Sequence, residues 1–304
     1  MKIRIGHLST LYHTSMLMMA RSEILSGFPA EIDWRLFGTG PGIVESFSGD
    51  ELDIAYLGLP PAVAGIACGV PITCVAGGHV EGTVIAGRAD FTGFPESEDL
   101  AAILAQAKAI GVPGKGSIHD IILQDALRKY GIPVKVKNFG WADKVLEEFA
   151  KGGVEIVAGT PALAQAVLHY GGGRMLYPPH LLWPENPSCG ILAGQSFLRA
   201  NKELVEEFLI RHDRASTYLR EDREECAADI ARFLKVVDTG FVSDVLACSP
   251  HYCAALSPGY IECTMRLARR QMELGYIETV PAREEIFEPS LIRAIHPGPA
   301  HYYS

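Results

Sequence analysis

A helix–strand–helix segment occurs twice in this chain, about a hundred residues apart, and this repeat constrains the fold more than any motif does. The first copy, residues 44–64, reads VESFSGDELDIAYLGLPPAVA, and the second, residues 146–164, reads LEEFAKGGVEIVAGTPALA. Both copies predict a helix, a short turn, a strand that ends in Gly, and a new helix with Pro in its first turn, where the missing N–H costs nothing. We interpret the repeat as two similar α/β lobes; chance likeness between two strand–helix units is the alternative.

Strand and helix patterns alternate through the first two thirds of the chain. Short apolar, β-branched runs predict strands at 2–7, 32–37, 52–57, 72–76, 83–87, 108–112, 133–137, 154–158 and 190–193. Helical periodicity between them predicts helices at 14–26, 60–68, 97–107, 117–130, 142–151 and 161–170. Strands that are separated by such helices imply parallel sheets with βαβ crossovers.

From about residue 197 the pattern changes to consecutive helices, predicted at 201–219, 222–235, 239–247 and 257–274. Asn201 is a suitable N-cap for the first of them, and Gly275 is a suitable stop after the last. The predicted fold class is therefore α/β, two-lobed, with a helical C-terminal third.

The repeat and the change of pattern together predict a discontinuous first lobe. We expect the chain to leave lobe one near Arg88 and to return near Ile191, so that lobe one comprises residues 1–88 and 191–304 and lobe two residues 89–190. In open α/β sheets, ligands bind outside the carboxyl ends of the strands, where helix N-termini offer N–H groups. Two lobes that face each other across such edges form a cleft for a small ligand.

Charge and hydropathy exclude two classes of partner. Lys and Arg number 27 against 36 Asp and Glu, a net charge of −9, and no Lys/Arg-rich run occurs. Nucleic acid is therefore not expected as a partner. No window of 18 consecutive apolar residues occurs either, so we expect no direct membrane insertion.

The N-terminus and the cysteines bear on the compartment. Residues 1–8 lead directly into a strand, without the apolar region of a signal peptide. The seven Cys are odd in number and contain no C-x-x-C pair, which favours reduced, buried thiols. Both features favour a cytoplasmic location; a periplasmic protein whose signal has been removed is the alternative.

Several segments resemble the type II substrate-binding proteins of ABC transporters. GDELDIAYLG at 49–58 and GVPI at 69–72 are similar to the first-lobe signature of that family, and most of all to its branch for nitrate, alkanesulfonates, taurine and thiamin pyrimidines. GVPGKGSIH at 111–119 looks like the family's second-lobe strand and the helix start after it, and GVEI at 153–156 is similar to another of its strands.

The resemblance extends from Lys2 to about Arg293, because the stretches near 218–228, 257–260 and 272–277 resemble the family's C-terminal helices. It implies a two-lobed fold, a small-molecule ligand and an ABC permease as a possible partner. No cofactor is expected.

Residues at the predicted strand-to-helix turns are the candidates for ligand contact. Ser117 follows a glycine-bearing turn and Thr160 precedes Pro161, so each hydroxyl can reach a ligand or merely cap its helix. Gly58 offers only backbone groups. The full predicted ligand-binding set is Ser9, Thr10, His13, Thr39, Gly58, His79, Glu81, Ser117, His119, Trp141, Thr160 and Ser188.

Other members of this set have equally plain alternatives. Ser9, Thr10 and His13 lie between the first strand and the first helix, where turn capping also explains them. Trp141 stands in a loop, where it either stacks on a ligand or covers local core. His79 and Glu81 lie near the lobe junction and either contact the ligand or belong to a polar crossover.

The motifs of several enzyme classes are incomplete. The loop 38–42 lacks the third glycine of a dinucleotide-binding turn, and 114–119 lacks the G-K-[ST] of a P-loop. The H-x-E at 79–81 has no P-C-x-x-C to complete a zinc deaminase. The ten His are too widely spread to define a metal site, and the sequence shows no base for Cys189 as a nucleophile. No catalytic residue and no metal ligand is predicted.

Two functions from different classes remain. The first is a solute-binding protein that clamps a small polar or anionic ligand between two lobes. The second is a cytoplasmic enzyme on the same scaffold, since fold does not fix function. Signal-less proteins that resemble this chain include menaquinone-pathway enzymes and thiamin-pyrimidine synthases, although the Cys-rich run of the synthases is absent. In such an enzyme His79, Glu81 and His119 would be the acid–base candidates.

Overall fold

A computed structural model describes residues 1–248 and 251–303, and its strands form two separate sheets. The first sheet contains β1 (Lys2–Leu8), β2 (Glu31–Phe37), β3 (Ile54–Leu57), β4 (Ile72–Val80), β10 (Cys189–Gly194) and β11 (His251–Tyr252). The second sheet contains β5 (Val84–Arg88), β6 (Ala109–Val112), β7 (Lys135–Asn138), β8 (Ile156–Gly159) and β9 (Gly173–Tyr177). This two-sheet α/β architecture confirms the predicted two-lobed fold class.

Five strands of the first sheet have the same order as the five strands of the second, and β11 is an additional edge strand of the first. The first runs β11-β4-β10-β3-β1-β2 and the second β9-β5-β8-β6-β7. In each sheet the three strands at one end are parallel, and the next two pair antiparallel. Strands β3 and β8, which lie in the two copies of the sequence repeat, therefore occupy equivalent third positions.

Helices cover both faces of each sheet. The helices that precede β10 are α1 (Thr14–Ala20), α2 (Gly40–Ser48), α3 (Leu59–Ala67), α4 (Leu100–Leu104), α5 (Ile118–Tyr130), α6 (Ala142–Ala150), α7 (Pro161–Tyr170) and α8 (Pro179–Leu182). The helices that follow β10 are α9 (Gln195–Ala200), α10 (Lys202–Glu221), α11 (Arg223–Leu234), α12 (Thr239–Cys248), α13 (Pro258–Glu273), α14 (Arg283–Ile286) and α15 (Ser290–Ile295). A 3₁₀ turn at Ser22–Leu25 follows α1, so the helix predicted over 14–26 is interrupted.

The C-terminal helices pack on the first sheet. Phe208 and Leu209 of α10 join one apolar cluster with Ile5 of β1, and Ile261 of α13 joins a second cluster on the opposite face. Asn201 stands at the predicted N-cap of α10, but its amide donates to the Phe197 carbonyl at 3.2 Å instead of capping the helix. Gly275 follows α13 with a φ of +80°, as expected of a helix stop.

The chain crosses between the sheets earlier than the sequence predicts. Residues 84–88, which the prediction assigns to lobe one, form β5 and pair with β8 and β9 of the second sheet. The return strand β10 begins at Cys189, two residues before the predicted point. The first crossing therefore lies at residues 81–83. An apolar strand carries no sequence signal of which sheet it joins, and this explains the error.

No helix within the described part of the chain is both long enough and apolar enough to span a bilayer.

The thiols give a direct test of the packing. All seven Cys are unbridged in the described chain; five are buried, Cys248 is partly exposed and only Cys68 is exposed. Burial raises the pKa of Cys74 to about 12 and that of Cys226 to about 11, so these thiols resist thiolate formation.

We expect a thiol reagent to modify one thiol rapidly in the native protein and all seven after unfolding. Cys68→Ser should abolish the rapid phase. Several rapid thiols in that variant would contradict the packing.

Candidate functional site

A cleft lies between the two sheets at the carboxyl ends of their parallel strands. Four helices begin at its walls: α2 and α3 follow β2 and β3 of the first sheet, and α5 and α7 follow β6 and β8 of the second. The first N–H groups of a helix have no intrahelical acceptor, so converging helix starts favour oxygen-rich ligand groups. The starts of α3 and α7 lie in the two copies of the internal repeat.

The residues that cap these helices are four of the predicted ligand contacts. Thr39, Ser117 and Thr160 accept hydrogen bonds through their side chains from the N–H groups of residues 42, 120 and 163, at 3.3, 3.3 and 3.1 Å. Gly58 is the fourth cap residue and has no side chain. A hydroxyl that accepts a capping bond still has its own O–H to donate. Capping and ligand contact, which the sequence analysis treats as alternatives, are therefore compatible here.

The cleft contains a cavity of about 720 Å³, which has room for an organic molecule of moderate size. Six predicted contacts line it: Ser9, Thr10, Thr39, Ser117, His119 and Thr160. A smaller pocket of about 50 Å³ lies further in and shares Thr10, Ser117, His119 and Thr160 with the large cavity. The predicted contacts His13, Gly58 and Ser188 line this inner pocket, together with Tyr12.

Most of the large cavity is apolar. Its lining includes Met16, Met19, Trp34, Leu36, Leu146, Leu163, Ala166, Tyr170, Phe233, Val236, Val237 and Phe241. Some of these side chains are exposed at its rim, namely Leu36 (57%), Tyr170 (64%), Phe233 (45%) and Val236 (82%). Exposed apolar residues that cluster at one opening are typical of a surface that binds apolar groups. The cavity therefore has a polar inner end and an apolar outer part.

The cleft carries no permanent positive charge. Among the described residues that line either pocket there is no Lys or Arg, and Asp143 is the one carboxylate. Burial lowers the pKa of His119 to about 4 and lowers that of His7, so both rings are neutral at pH 7. Polar groups of a ligand would be held by hydroxyls, imidazoles and backbone N–H groups.

Four predicted ligand contacts either lie outside the pockets or have a second structural role. They are Trp141, Ser188, His79 and Glu81. Trp141 caps α6, and its ring lies so close to Gly38 that a Cβ there would come within 2.5 Å, so it joins the lobes beside the cavity. Ser188 lines the inner pocket, but it also accepts a hydrogen bond from the Gly82 N–H at 2.7 Å and donates to Asn186, which ties the two crossings together.

His79 and Glu81 lie outside both pocket linings. Glu81 has a φ of +61° at the first crossing, and its carboxylate accepts from the Tyr303 hydroxyl at 2.6 Å and from the Glu185 N–H at 3.1 Å. His79 is 2% exposed in β4, with its ring 5.1 Å from that of His13. Its surroundings are aromatic, since the rings of Tyr12 and Tyr252 lie 5.3 and 6.0 Å away.

Sequence reasoning missed the apolar wall. Trp34 and Leu36 alternate along the edge strand β2 toward its carboxyl end, and an exposed apolar pair there was an available signal. Phe233, Val236 and Phe241 carry no such signal, because only the packing of α11 and α12 beside α1 and α7 brings them to the cleft.

Both flanks of the cleft hold contacts between the lobes. On one side Arg270 of α13 pairs with Asp125 of α5 at 2.6 Å, and the Tyr276 hydroxyl donates to Asp120 at 2.7 Å. On the other side Tyr170 of α7 stacks on Phe241 of α12 with ring centroids 5.8 Å apart. The lobes therefore meet in a closed arrangement.

These features define the class of two-lobed type II substrate-binding folds. Three solved structures share it: a ligand-binding component of an ABC-type import system from Staphylococcus aureus with zinc bound (18% identity, 98% of this chain and 99% of that chain, TM-score 0.80), the periplasmic aliphatic sulphonate-binding protein SsuA from Escherichia coli (20%, 95% and 92%, 0.74), and the periplasmic nitrate-binding protein NrtA from Synechocystis PCC 6803 (11%, 97% and 88%, 0.78).

A family model gives the more specific result. The NMT1-like family matches residues 1–235, and the chain belongs to this family. Family and neighbours together confirm the branch that the sequence motifs indicate. No curated protein sequence matches the chain significantly.

The buried histidines predict how stability depends on pH. Burial lowers the folded-state pKa of both His119 and His212 to about 4, whereas an unfolded histidine titrates near 6.5. Between these values the unfolded chain binds more protons, so stability is present above about pH 6.5 and is lost as the pH falls toward 4. Each such histidine contributes a slope of about 1.4 kcal/mol per pH unit within that window.

His212→Gln should reduce that slope by the contribution of one histidine. Urea unfolding of wild type and variant at several pH values between about 7 and 4.5 measures it. His180→Gln, at an exposed position, is the matched control and should keep the wild-type slope. An unchanged slope in His212→Gln would show that this imidazole does not stay neutral in the folded protein.

Proposed function

We propose that this protein is the solute-binding component of an ABC-type importer and that it binds an organic solute with a small polar head and an apolar body. The division of the cleft carries the proposal: helix caps and neutral imidazoles surround the inner end, and an apolar wall lines the outer part. The NMT1-like family and the three neighbours, all named as binding proteins or components, support binding rather than the alternative of an enzyme.

The partners and the compartment follow from the same proposal. An importer's binding component delivers its solute to a membrane permease, so we propose a permease as the physiological partner. The cytoplasmic location favoured by the sequence analysis finds no support in the comparisons. The sulphonate- and nitrate-binding neighbours are described as periplasmic, and this favours the extracytoplasmic alternative.

The proposed solute differs from a bare inorganic anion. A cavity of about 720 Å³ is far larger than nitrate requires, and its apolar wall would leave a small anion without contacts. With Asp143 as the one charged lining residue, the cleft also offers no long-range attraction to anions. Binding energy would come chiefly from burial of the solute's apolar body.

A homologous series of solutes tests this ligand class. Linear alkanesulfonates of increasing chain length should bind with affinity that rises about fourfold per methylene, because each buried methylene contributes about 0.8 kcal/mol. Calorimetric titration measures the series, with carboxylates and primary alcohols of equal length to rank the head groups. Nitrate is the control and should bind weakly. Tighter binding of nitrate than of every alkyl solute would contradict the proposed class.

The helix caps are tested by a matched pair of variants. Ser117→Ala removes a capping hydroxyl beside the cavity, whereas Ser257→Ala removes one at the start of α13, outside the described pocket linings. Both variants should lose about 1 kcal/mol of stability. Only Ser117→Ala should also weaken binding of the best alkyl solute, by about tenfold, since a hydrogen bond to a charged group contributes about 1.5–3 kcal/mol. Thr160→Ala should behave as Ser117→Ala does.

Thermal melting and calorimetric titration separate the two effects. If Ser117→Ala and Thr160→Ala leave the dissociation constant unchanged while their stability falls, these hydroxyls serve only as caps, and the head group is held elsewhere in the cleft.

A further inference from the structure

Three buried side chains from three different elements meet beneath the inner pocket. His13 caps α1, His79 lies in β4 and Cys189 begins β10, and their exposed fractions are 3%, 2% and 1%. His79 and Cys189 are direct partners in the antiparallel register of β4 and β10. One nitrogen of each imidazole and the thiol sulfur all lie within 4.8 Å of one another, and Cys189 Sγ is 3.9 Å from His13 Nδ1.

The ring of His79 lacks the hydrogen bonds that its burial demands. Neither of its nitrogens makes a hydrogen bond of good geometry among the described residues, although the backbone of Val80 interacts with the ring. Burial of an unpaired polar group is costly, and native proteins pair the great majority of such groups. The hydrogen bonds of the Cys189 thiol are also long. Its sulfur lies 3.9 Å from His13 Nδ1 and 3.8 Å from the Gly190 carbonyl oxygen.

Two imidazoles and one thiolate are a ligand set that suits a borderline transition metal. Zinc binds His nitrogen at about 2.0–2.1 Å and Cys sulfur at about 2.3 Å in tetrahedral geometry, which separates nitrogen and sulfur by about 3.6 Å. The observed separation of 3.9 Å is close to this value, so small side-chain rotations would complete the set. Cysteine binds such a metal as the thiolate, so uptake of the ion would release the thiol proton.

A second cluster of metal-ligating residues is less suited. Cys253, His296 and His301 also lie within 4.8 Å of one another, but the side chains of Cys253 and His296 already make hydrogen bonds. His296 Nδ1 is 3.0 Å from the Asp213 carboxylate, and Cys253 Sγ accepts from the N–H groups of Ala255 and His301 at 3.4 and 3.3 Å. This cluster serves as the competing location in the test.

We propose that His13, His79 and Cys189 bind one divalent transition-metal ion of borderline character, for which Zn²⁺ is the natural probe. Of the three proposed ligands His13 lines the inner pocket, so a bound ion would lie next to that pocket. That pocket of about 50 Å³ borders His13 and has room for one water molecule or one ligand atom. If the proposed function holds, the ion would also give the polar head of the solute a coordination partner that the side chains lining the cleft do not provide.

The site is tested without any solute, so failure of this proposal and failure of the proposed function are distinguishable. The full chain, freed of any affinity tag that binds metal, is loaded with Zn²⁺, dialysed and analysed for metal content. We expect about one equivalent to be retained and thermal unfolding to shift upward with Zn²⁺, because the ion binds the folded state. Loading with Co²⁺ should give the charge-transfer absorption of a cobalt–thiolate bond.

Substitutions locate the ion. His79→Ala and Cys189→Ala should each weaken Zn²⁺ binding by more than the 10–100-fold that loss of an outer-shell partner typically costs. Cys74→Ala is the matched control, since it removes another buried thiol of the same strand pair and should keep full binding. Thermal melting of the metal-free variants verifies their folding. If a substitution within the sheet prevents folding, His13→Gln at the wall of the inner pocket provides the same test.

Two results would overturn the proposal. The first is that the wild type retains no metal and shows no Zn²⁺-dependent shift in melting, which would leave an ordered water as the partner of His79. The second is that the ion is retained by the His79 and Cys189 variants and is lost in Cys253→Ala, which would assign it to the second cluster.

Discussion

The strand that follows each crossing lies inside a sheet and not at its edge, and the position of the cleft depends on this placement. Strand β10 lies between β3 and β4, and β5 lies between β8 and β9. The two crossings are joined where Gly82 donates to Ser188 and the Glu81 N–H donates to the Asn186 carbonyl at 3.0 Å. The two joined crossings form the hinge between the lobes. Because this hinge is short and hydrogen-bonded, the carboxyl ends of both sheets face each other across one narrow gap.

The chemistry of the cleft follows from that geometry. Parallel strands that end at the gap must be followed by helices that begin there, so cap hydroxyls and helix N–H groups gather at its inner end. The proline pair at 60–61 makes α3 an exception, since neither residue has an N–H. The start of α5, which has no proline, therefore offers more N–H donors than the start of α3.

The apolar wall has a different origin. It is built by α1, the edge strand β2 and the C-terminal helices α11 and α12 of the first lobe, together with α6 and α7 of the second lobe. Side chains there contact solvent as well as the cavity. The protein thus leaves a cluster of apolar side chains uncovered at the cleft, although core residues such as Val157 and Val245 are fully buried.

Much of this arrangement could be predicted from the sequence because it is local. The repeat, the strand–Gly–helix turns and the cap residues Thr39, Ser117 and Thr160 are short-range patterns with one dominant physical reading. The lobe boundary was wrong because strand Val84–Arg88 is equally compatible with either sheet.

The apolar wall and the cluster of His13, His79 and Cys189 lie beyond such prediction. The members of that cluster are 66 to 176 residues apart, and only the register between β4 and β10 brings the last two together. A search for metal motifs depends on fixed spacing, so ligands that meet through sheet pairing give it no signal.

The uncovered wall also determines how binding responds to heat. Water that hydrates Leu36, Phe233 and Val236 in the open rim would be released when the apolar body of the proposed solute covers them. Release of such water gives a negative heat-capacity change, so the enthalpy of association becomes more favourable with each degree of warming while its entropy becomes less so. Affinity in this protein then passes through a maximum with temperature, a property that a cleft lined only by charges and hydroxyls would lack.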